Sequence, residues 1–219
     1  MPYRRRAPVR RRRRATPWYS KKYSAMQMAA KALRATRYIK GLVNSERMYY
    51  DRAITLGSIK SQNFTLTNLS QGDQVGQRTG NSILLRSIYF RGYIQINPSV
   101  TLNTRISIAL VKDTMQVADT TPEVTDIFTS NEPEGQLRVG QTNNMAGRFK
   151  ILWRKNYNLH ADVPTITLDK FWKVYDHVRY NGPNAQDIQR NGYYVCILTS
   201  ESTNFPTVVI NSRIGYHDN

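Results

Sequence analysis

The sequence predicts an all-β body, a single eight-stranded sandwich of two sheets, carried behind a disordered basic N-terminal arm and a short helix. Three observations lead there. Beyond residue 46 apolar residues recur with period 2. Eight such runs are separated by clusters of Gly, Pro, Asn and Ser. The positive charge, meanwhile, is gathered at one end. The 219 residues hold 32 Lys+Arg against 15 Asp+Glu, a net charge of +17. Residues 1–45 hold 14 of the basic residues and no acidic one, and the remainder of the chain balances to +3. Three zones follow: an Arg-rich arm over 1–23, a basic helix and linker over 24–45, and a β domain over 46–219.

The arm opens MPYRRRAPVRRRRR. Arg4, Arg5, Arg6, Arg10, Arg11, Arg12, Arg13 and Arg14 repel one another, and Pro2, Pro8 and Pro17 lock the backbone out of regular structure. Such a block stays unfolded until a polyanion neutralises it. Nucleic acid is the obvious polyanion, bound with a salt-sensitive, sequence-independent affinity that comes from counterion release. The same arginines suit a nuclear localisation signal read by an import receptor. Trp18, Tyr19 and Tyr23 interleave with Lys21 and Lys22. Rings beside cations suit stacking on unpaired bases, and they suit packing under the wall of the body equally well.

Residues 24–43, SAMQMAAKALRATRYIKGLV, read as a helix with Ser24 as its cap and Gly41 as its end. Lys31, Arg34 and Arg37 recur at a spacing of three and form a basic stripe suited to phosphates. Alone, so short a helix is marginal in water.

The strands are expected near 48–56, 62–68, 82–97, 104–112, 147–158, 165–180, 192–200 and 206–216. In IYFRGYIQI, Ile88, Phe90, Ile94 and Ile96 share one face, and Tyr89, Arg91, Tyr93 and Gln95 the other. RISIALVK turns Ile106, Ile108 and Leu110 inward, and RFKILWRKNY sets Phe149, Ile151 and Trp153 opposite Lys150 and Arg154. The long excursion over 113–146 contains TPEVTDIF, a helical turn with Thr121 as cap and Pro122 first. Eight antiparallel strands joined by long loops suit a jelly roll, and an immunoglobulin-like sandwich nearly as well.

Motifs for chemistry are sparse. His160, His177 and His217 stand in no metal-ligand spacing, and GDQVGQRTG lacks the Lys-Ser/Thr of a phosphate loop. Cys196 lies alone in an apolar run, a poor setting for a nucleophile. The expectation is a non-enzyme. No run approaches the roughly 18 apolar residues of a membrane span, and the start lacks the apolar core of a secretory signal. The sequons at Asn63 and Asn68 then read as chance matches. Asp218, penultimate in the sequence, is either a frayed end or a ligand to a hard cation such as calcium, in a site that several subunits assemble.

The run NLSQGDQVGQRTGNSILLRSIYFRGYIQI carries a resemblance. Asn68, Leu69, Ser70, Gln71, Gly72, Asp73, Gln77, Arg78, Thr79, Gly80, Arg91 and Gly92 match the order of features in coat proteins of the satellite tobacco necrosis virus kind. The likeness extends over roughly 45–219. The arm departs from that pattern and resembles capsid proteins of circular, Rep-encoding single-stranded DNA viruses of the circovirus-like kind. The resemblance implies a jelly-roll capsid protein, roughly sixty copies in a closed icosahedral shell, with the arm inside on a single-stranded genome, DNA ahead of RNA. It places the protein in the virion and in the host nucleus and cytoplasm. It also implies calcium at a symmetry axis with Asp218 as a ligand, although His217 stands where the family has Thr. Two competing readings are a cellular nucleic-acid-binding protein of ribosomal or chromatin type, and an enzyme or lectin in which Trp153 and Trp172 hold a ligand.

Overall fold

The computed structural model describes residues 25–43, 47–100, 103–117, 119–138 and 147–218. The chain divides between Leu42 and Val43 into two units. The first contains all but the last residue of helix α1 (Ala25–Val43). Gly41, expected to end the helix, lies within it. One glycine costs a helix about 1 kcal/mol, which slows but does not stop propagation. Ser24, the expected cap, lies outside the described residues.

Among the described residues the second unit is an antiparallel β sandwich of nine strands, not eight. They are β1 (Arg47–Thr55), β2 (Ser61–Thr65), β3 (Ser82–Gln95), β4 (Thr104–Asp113), β5 (Phe149–Leu159), β6 (Thr165–Tyr180), β7 (Ile188–Arg190), β8 (Gly192–Thr199) and β9 (Thr207–Asp218). Each of the eight expected runs holds a strand. The ninth, β7, is a three-residue strip pairing Arg190 with Arg179 and Ile188 with Tyr180, inside what reads in sequence as a turn. Asn191 then reverses the chain at φ 59°, a left-handed conformation that Asn tolerates. One sheet has the order β1-β9-β3-β6-β7 and the other β2-β8-β4-β5.

The two sheets close on one apolar core. Ile88, Phe90, Ile94 and Ile96 enter it from β3 and its end, and Ile106, Ile108 and Leu110 from β4, as the alternation predicts. Gly92 sits where β3 runs against β9: a Cβ there would meet the Val209 carbonyl oxygen at 2.0 Å.

A second cluster covers the other side of the four-stranded sheet. Ala109, Val111, Cys196 and Leu198 pack there under Val124, Ile127 and Phe128 of the 113–148 excursion. Strand β8 is therefore buried at every residue, which its unbroken apolar run allows. A register shift in β5 serves both clusters. Leu110 pairs with Trp153 and Val111 with Ile151, so Leu152 is the extra residue of a bulge. Phe149 and Ile151 therefore join the outer cluster, while Trp153 packs on the main core. The expected single face for Phe149, Ile151 and Trp153 is corrected by that one residue.

The excursion is tied at its root. Arg148 donates two parallel hydrogen bonds to Asp113, Nε to Oδ1 at 2.9 Å and Nη2 to Oδ2 at 2.7 Å. Both side chains are buried, and the Met115 amide donates to the same carboxylate at 3.0 Å. Helix α2 (Val124–Ile127) starts later than expected: Glu123, not Thr121, is its cap residue. The Glu123 amide donates to the Asp126 carboxylate at 2.9 Å, while the Thr121 hydroxyl is shared with that of Thr65 at 2.8 Å.

A buried ion pair is costly to break from one side, because the remaining charge is left uncompensated. Arg148→Met is expected to destabilise the body by about 3–5 kcal/mol, read as a lowered urea midpoint. The double change Arg148→Met with Asp113→Leu recovers part of that loss. A single variant as stable as the parent would remove the pair from the list of structural ties.

Candidate nucleic-acid interface

The sequence assigns nucleic-acid contact to two groups. Arg4, Arg5, Arg6, Arg10, Arg11, Arg12, Arg13, Arg14, Lys21 and Lys22, with the rings of Trp18, Tyr19 and Tyr23, lie outside the described residues. Lys31, Arg34 and Arg37 lie on α1, and all three are exposed. At 3.6 residues per turn their positions spread over about a third of the helix circumference. That is a stripe of two guanidinium groups and one ammonium within two turns, able to meet successive phosphates of a flexible strand. Thr36, between them, turns its hydroxyl back onto the Ala32 carbonyl at 2.8 Å.

The segment 68–80 carries the residues of the resemblance, and its centre is a buried arginine. Arg78 is fully covered. Its Nε donates to the Leu69 carbonyl at 3.0 Å and its Nη1 to the Gly80 carbonyl at 2.6 Å. Its Nη2 donates to the Gly182 carbonyl. The guanidinium lies 4.0 Å from the centre of the Tyr180 ring. Burial lowers its pKa, and Tyr180, Asp187 and Asp218 oppose that shift. An arginine so enclosed is a structural cation that ties two loops together; it is not a phosphate contact. Around it the Gln71 amide donates to the Pro183 carbonyl at 2.8 Å. The Tyr180 hydroxyl, whose pKa burial pushes up, donates to the Thr67 carbonyl at 2.8 Å. The Tyr216 hydroxyl donates to the Gln77 carbonyl at 2.6 Å.

Asp218 belongs to this assembly. It is the last residue of β9, paired with Ile83, and is a strand residue, not a frayed end. Its Oδ2 accepts from the Thr79 amide at 2.6 Å and from the Thr79 hydroxyl. Among the described residues no three His, Cys, Asp or Glu side chains gather into a metal-holding group. Calcium takes six to eight oxygen ligands. A single carboxylate already engaged on a loop does not fit that demand within one chain.

The remaining sequence candidates are structural. Cys196 is buried, its thiol pushed up by burial, and its Sγ donates to Asn63 Oδ1 at 3.2 Å. Asn63 Nδ2 in turn donates to the Pro122 carbonyl at 2.9 Å. His160 Nδ1 lies 3.6 Å from Asp162 on an open edge. Trp153 and Trp172 pack on each other, centroids 5.4 Å apart, and Trp172 meets Phe90 edge-on at 5.0 Å. Both are half-buried and pack against the sandwich core. No described helix is long and apolar enough to cross a membrane.

These features define a two-sheet antiparallel sandwich joined to a cationic helix and arm. No family model matches the chain, and no curated protein matches it at a significant level.

Lysine cannot reproduce the guanidinium fork. Arg78→Lys is expected to strand buried carbonyls and cost about 2–4 kcal/mol, a melting temperature lower by about 5–10 °C. An unchanged melting curve would show that water replaces the fork at no cost.

Proposed function

We propose that this protein is the coat subunit of a small icosahedral virus, one that packages a single-stranded genome, DNA ahead of RNA, through its basic N-terminal segment. The observation that carries the reading is the segregation of charge. Fourteen basic residues and no acidic one precede Glu46, and the body behind them balances to +3. A subunit that repeats around a closed shell meets its own copies on several sides, so a strongly charged body would repel itself at every interface. Its genome, by contrast, needs concentrated positive charge on one side. Roughly sixty copies would bring on the order of 800 positive charges into one lumen, the scale of a very small genome.

The strand order supports the same reading. With the three-residue β7 set aside, the sheets run β1-β9-β3-β6 and β2-β8-β4-β5. Successive strands cross from one sheet to the other except at the β4–β5 hairpin. That order supports reading the body as an eight-stranded jelly roll, a fold used by viral capsid domains. Within this proposal, calcium at Asp218 requires neighbouring copies to supply the other oxygens.

Three measurements test the proposal. Light scattering on the purified protein, with its absorbance ratio at 260 and 280 nm, is expected to give a closed particle of dozens of subunits containing nucleic acid. A monomer or dimer that binds nucleic acid without closing would favour the cellular binding protein. Deletion of residues 1–45 is expected to leave a folded β body whose particles, or subunits, carry little nucleic acid. Binding of the full chain to a single strand should fall steeply with salt and depend little on sequence. Unchanged nucleic-acid content after the deletion would move packaging away from the arm.

A further inference from the structure

The middle strands of the four-stranded sheet, β8 and β4, are buried along most of their length, but the five-stranded sheet has an open outer face, and its composition is unusual. Cross-strand pairing sets Asp51, Arg213, Tyr89 and Phe171 side by side across β1, β9, β3 and β6. The next row is Ala53, Asn211, Arg91 and Asp169. Between these rows lies a shallow depression of about 390 Å³, lined by residues of both. Beyond them stand Tyr49 and Lys173, and then Arg47, Arg86 and Tyr175. The rings are presented, not buried: Tyr49 is 44%, Phe171 55% and Tyr175 62% exposed. Cations lie over two of them, Arg47 at 5.0 Å from the Tyr49 ring centre and Arg86 at 4.5 Å from that of Tyr175. Arg86 reaches Tyr175 from the irregularity that shifts the β3 register between Leu85 and Ser87.

We infer that this outer face is a second contact surface for single-stranded nucleic acid, one that holds bases by stacking while its arginines and Lys173 hold phosphates. The occupant follows from charge and shape together. Arg47, Arg86, Arg91, Lys173 and Arg213 stand against Asp51 and Asp169. Both carboxylates are engaged, Asp51 by Arg213 at 2.7 Å and Asp169 by the Tyr89 hydroxyl at 3.2 Å. Five cations against two engaged carboxylates leave the face net positive, which attracts a polyanion, and charge and rings alternate across the middle of the sheet. A duplex hides its base faces, whereas an unpaired strand presents them to flat rings, and each stacked base contributes about 1–3 kcal/mol. The surface concerns the body, not the arm, and it holds whether or not copies close into a shell.

The test separates stacking from charge on the full-length protein. Three probes of equal length are compared by fluorescence anisotropy: oligothymidylate, oligouridylate, and an abasic deoxyribose-phosphate strand of the same charge. The parent is expected to bind the base-bearing strands about tenfold more tightly than the abasic one. The variant Tyr49→Ala/Phe171→Ala/Tyr175→Ala, whose changes fall on exposed rings, is expected to lose most of that ratio and to keep its affinity for the abasic strand. Oligouridylate matching oligothymidylate assigns the face to unpaired bases of either sugar. A parent without base preference, or a variant that keeps the parent's ratio, overturns the inference. So does a variant that instead loses self-association, which would give the face to a second copy. A photocrosslinking measurement stands beside it. With a bromodeoxyuridine strand, adducts are expected on Tyr49, Tyr89, Phe171 or Tyr175. Adducts confined to residues 1–43 would overturn the inference while leaving packaging by the arm intact.

Discussion

Burial of β8 and β4, the middle strands of the four-stranded sheet, on both faces is the constraint from which the rest of the body follows. A strand with no solvent face has no place for charge, and β8 is apolar along almost its whole length for that reason. Its outer cover has to come from somewhere, and the excursion between β4 and β5 supplies it. That segment folds back as α2 and Phe128 over Ala109, Val111, Cys196 and Leu198. The bulge at Leu152 is the local adjustment that lets one strand contribute to the core before it and the cover behind it. Once this sheet is sealed, open sheet surface remains on its partner, so the exposed rings and guanidinium groups of the body collect there.

Two arginines are buried in the process, by different routes. Arg148 is matched by a carboxylate in a bidentate pair with Asp113. Arg78 has no direct carboxylate partner; three carbonyl oxygens and the face of Tyr180 take that place. The first closes the excursion at its root. The second binds the 68–80 segment to the turn after β6, and through Thr79 and Asp218 to the end of β9. A cation solvated by backbone carbonyls demands that those carbonyls stay where they are, so Arg78 fixes loop shape in a way an apolar residue of the same volume would not.

The strands were legible because alternation is a local signal. Ile88, Phe90, Ile94 and Ile96 point inward whatever β3 pairs with. Features that depend on a partner were not legible. Three residues are too few to show a period, so β7 read as turn. Counting alternation straight through Leu152 put Phe149 and Ile151 on the same side as Trp153, because a bulge leaves no mark in composition. Gly41 read as a stop since sequence gives a glycine's propensity but not the strength of its neighbours. Of the candidate site, the basic stripe on α1 was visible in spacing alone. Arg78 stood out only as a position of the resemblance, and its burial was not legible, since burial of a charge there is set partly by a contact more than a hundred residues away. The outer sheet face was half visible: Tyr89, Arg91 and Tyr93 share a side by period, but only strand order brings Arg213, Tyr49 and Phe171 to them.

The pairing of β1 with β9 also sets a clock. Arg47 faces His217 and Thr55 faces Val209, and β9 is the strand that joins β1 to β3. At about 5–20 residues per second, a ribosome spends on the order of ten to thirty seconds between making the first of these strands and the last. Throughout that interval the larger sheet lacks the strand between β1 and β3, and β1 hangs from the basic segment without its hydrogen-bond partner. Closure of the body thus waits for β9, and the basic segment is in solution, among the cell's polyanions, well before there is a folded domain for it to serve.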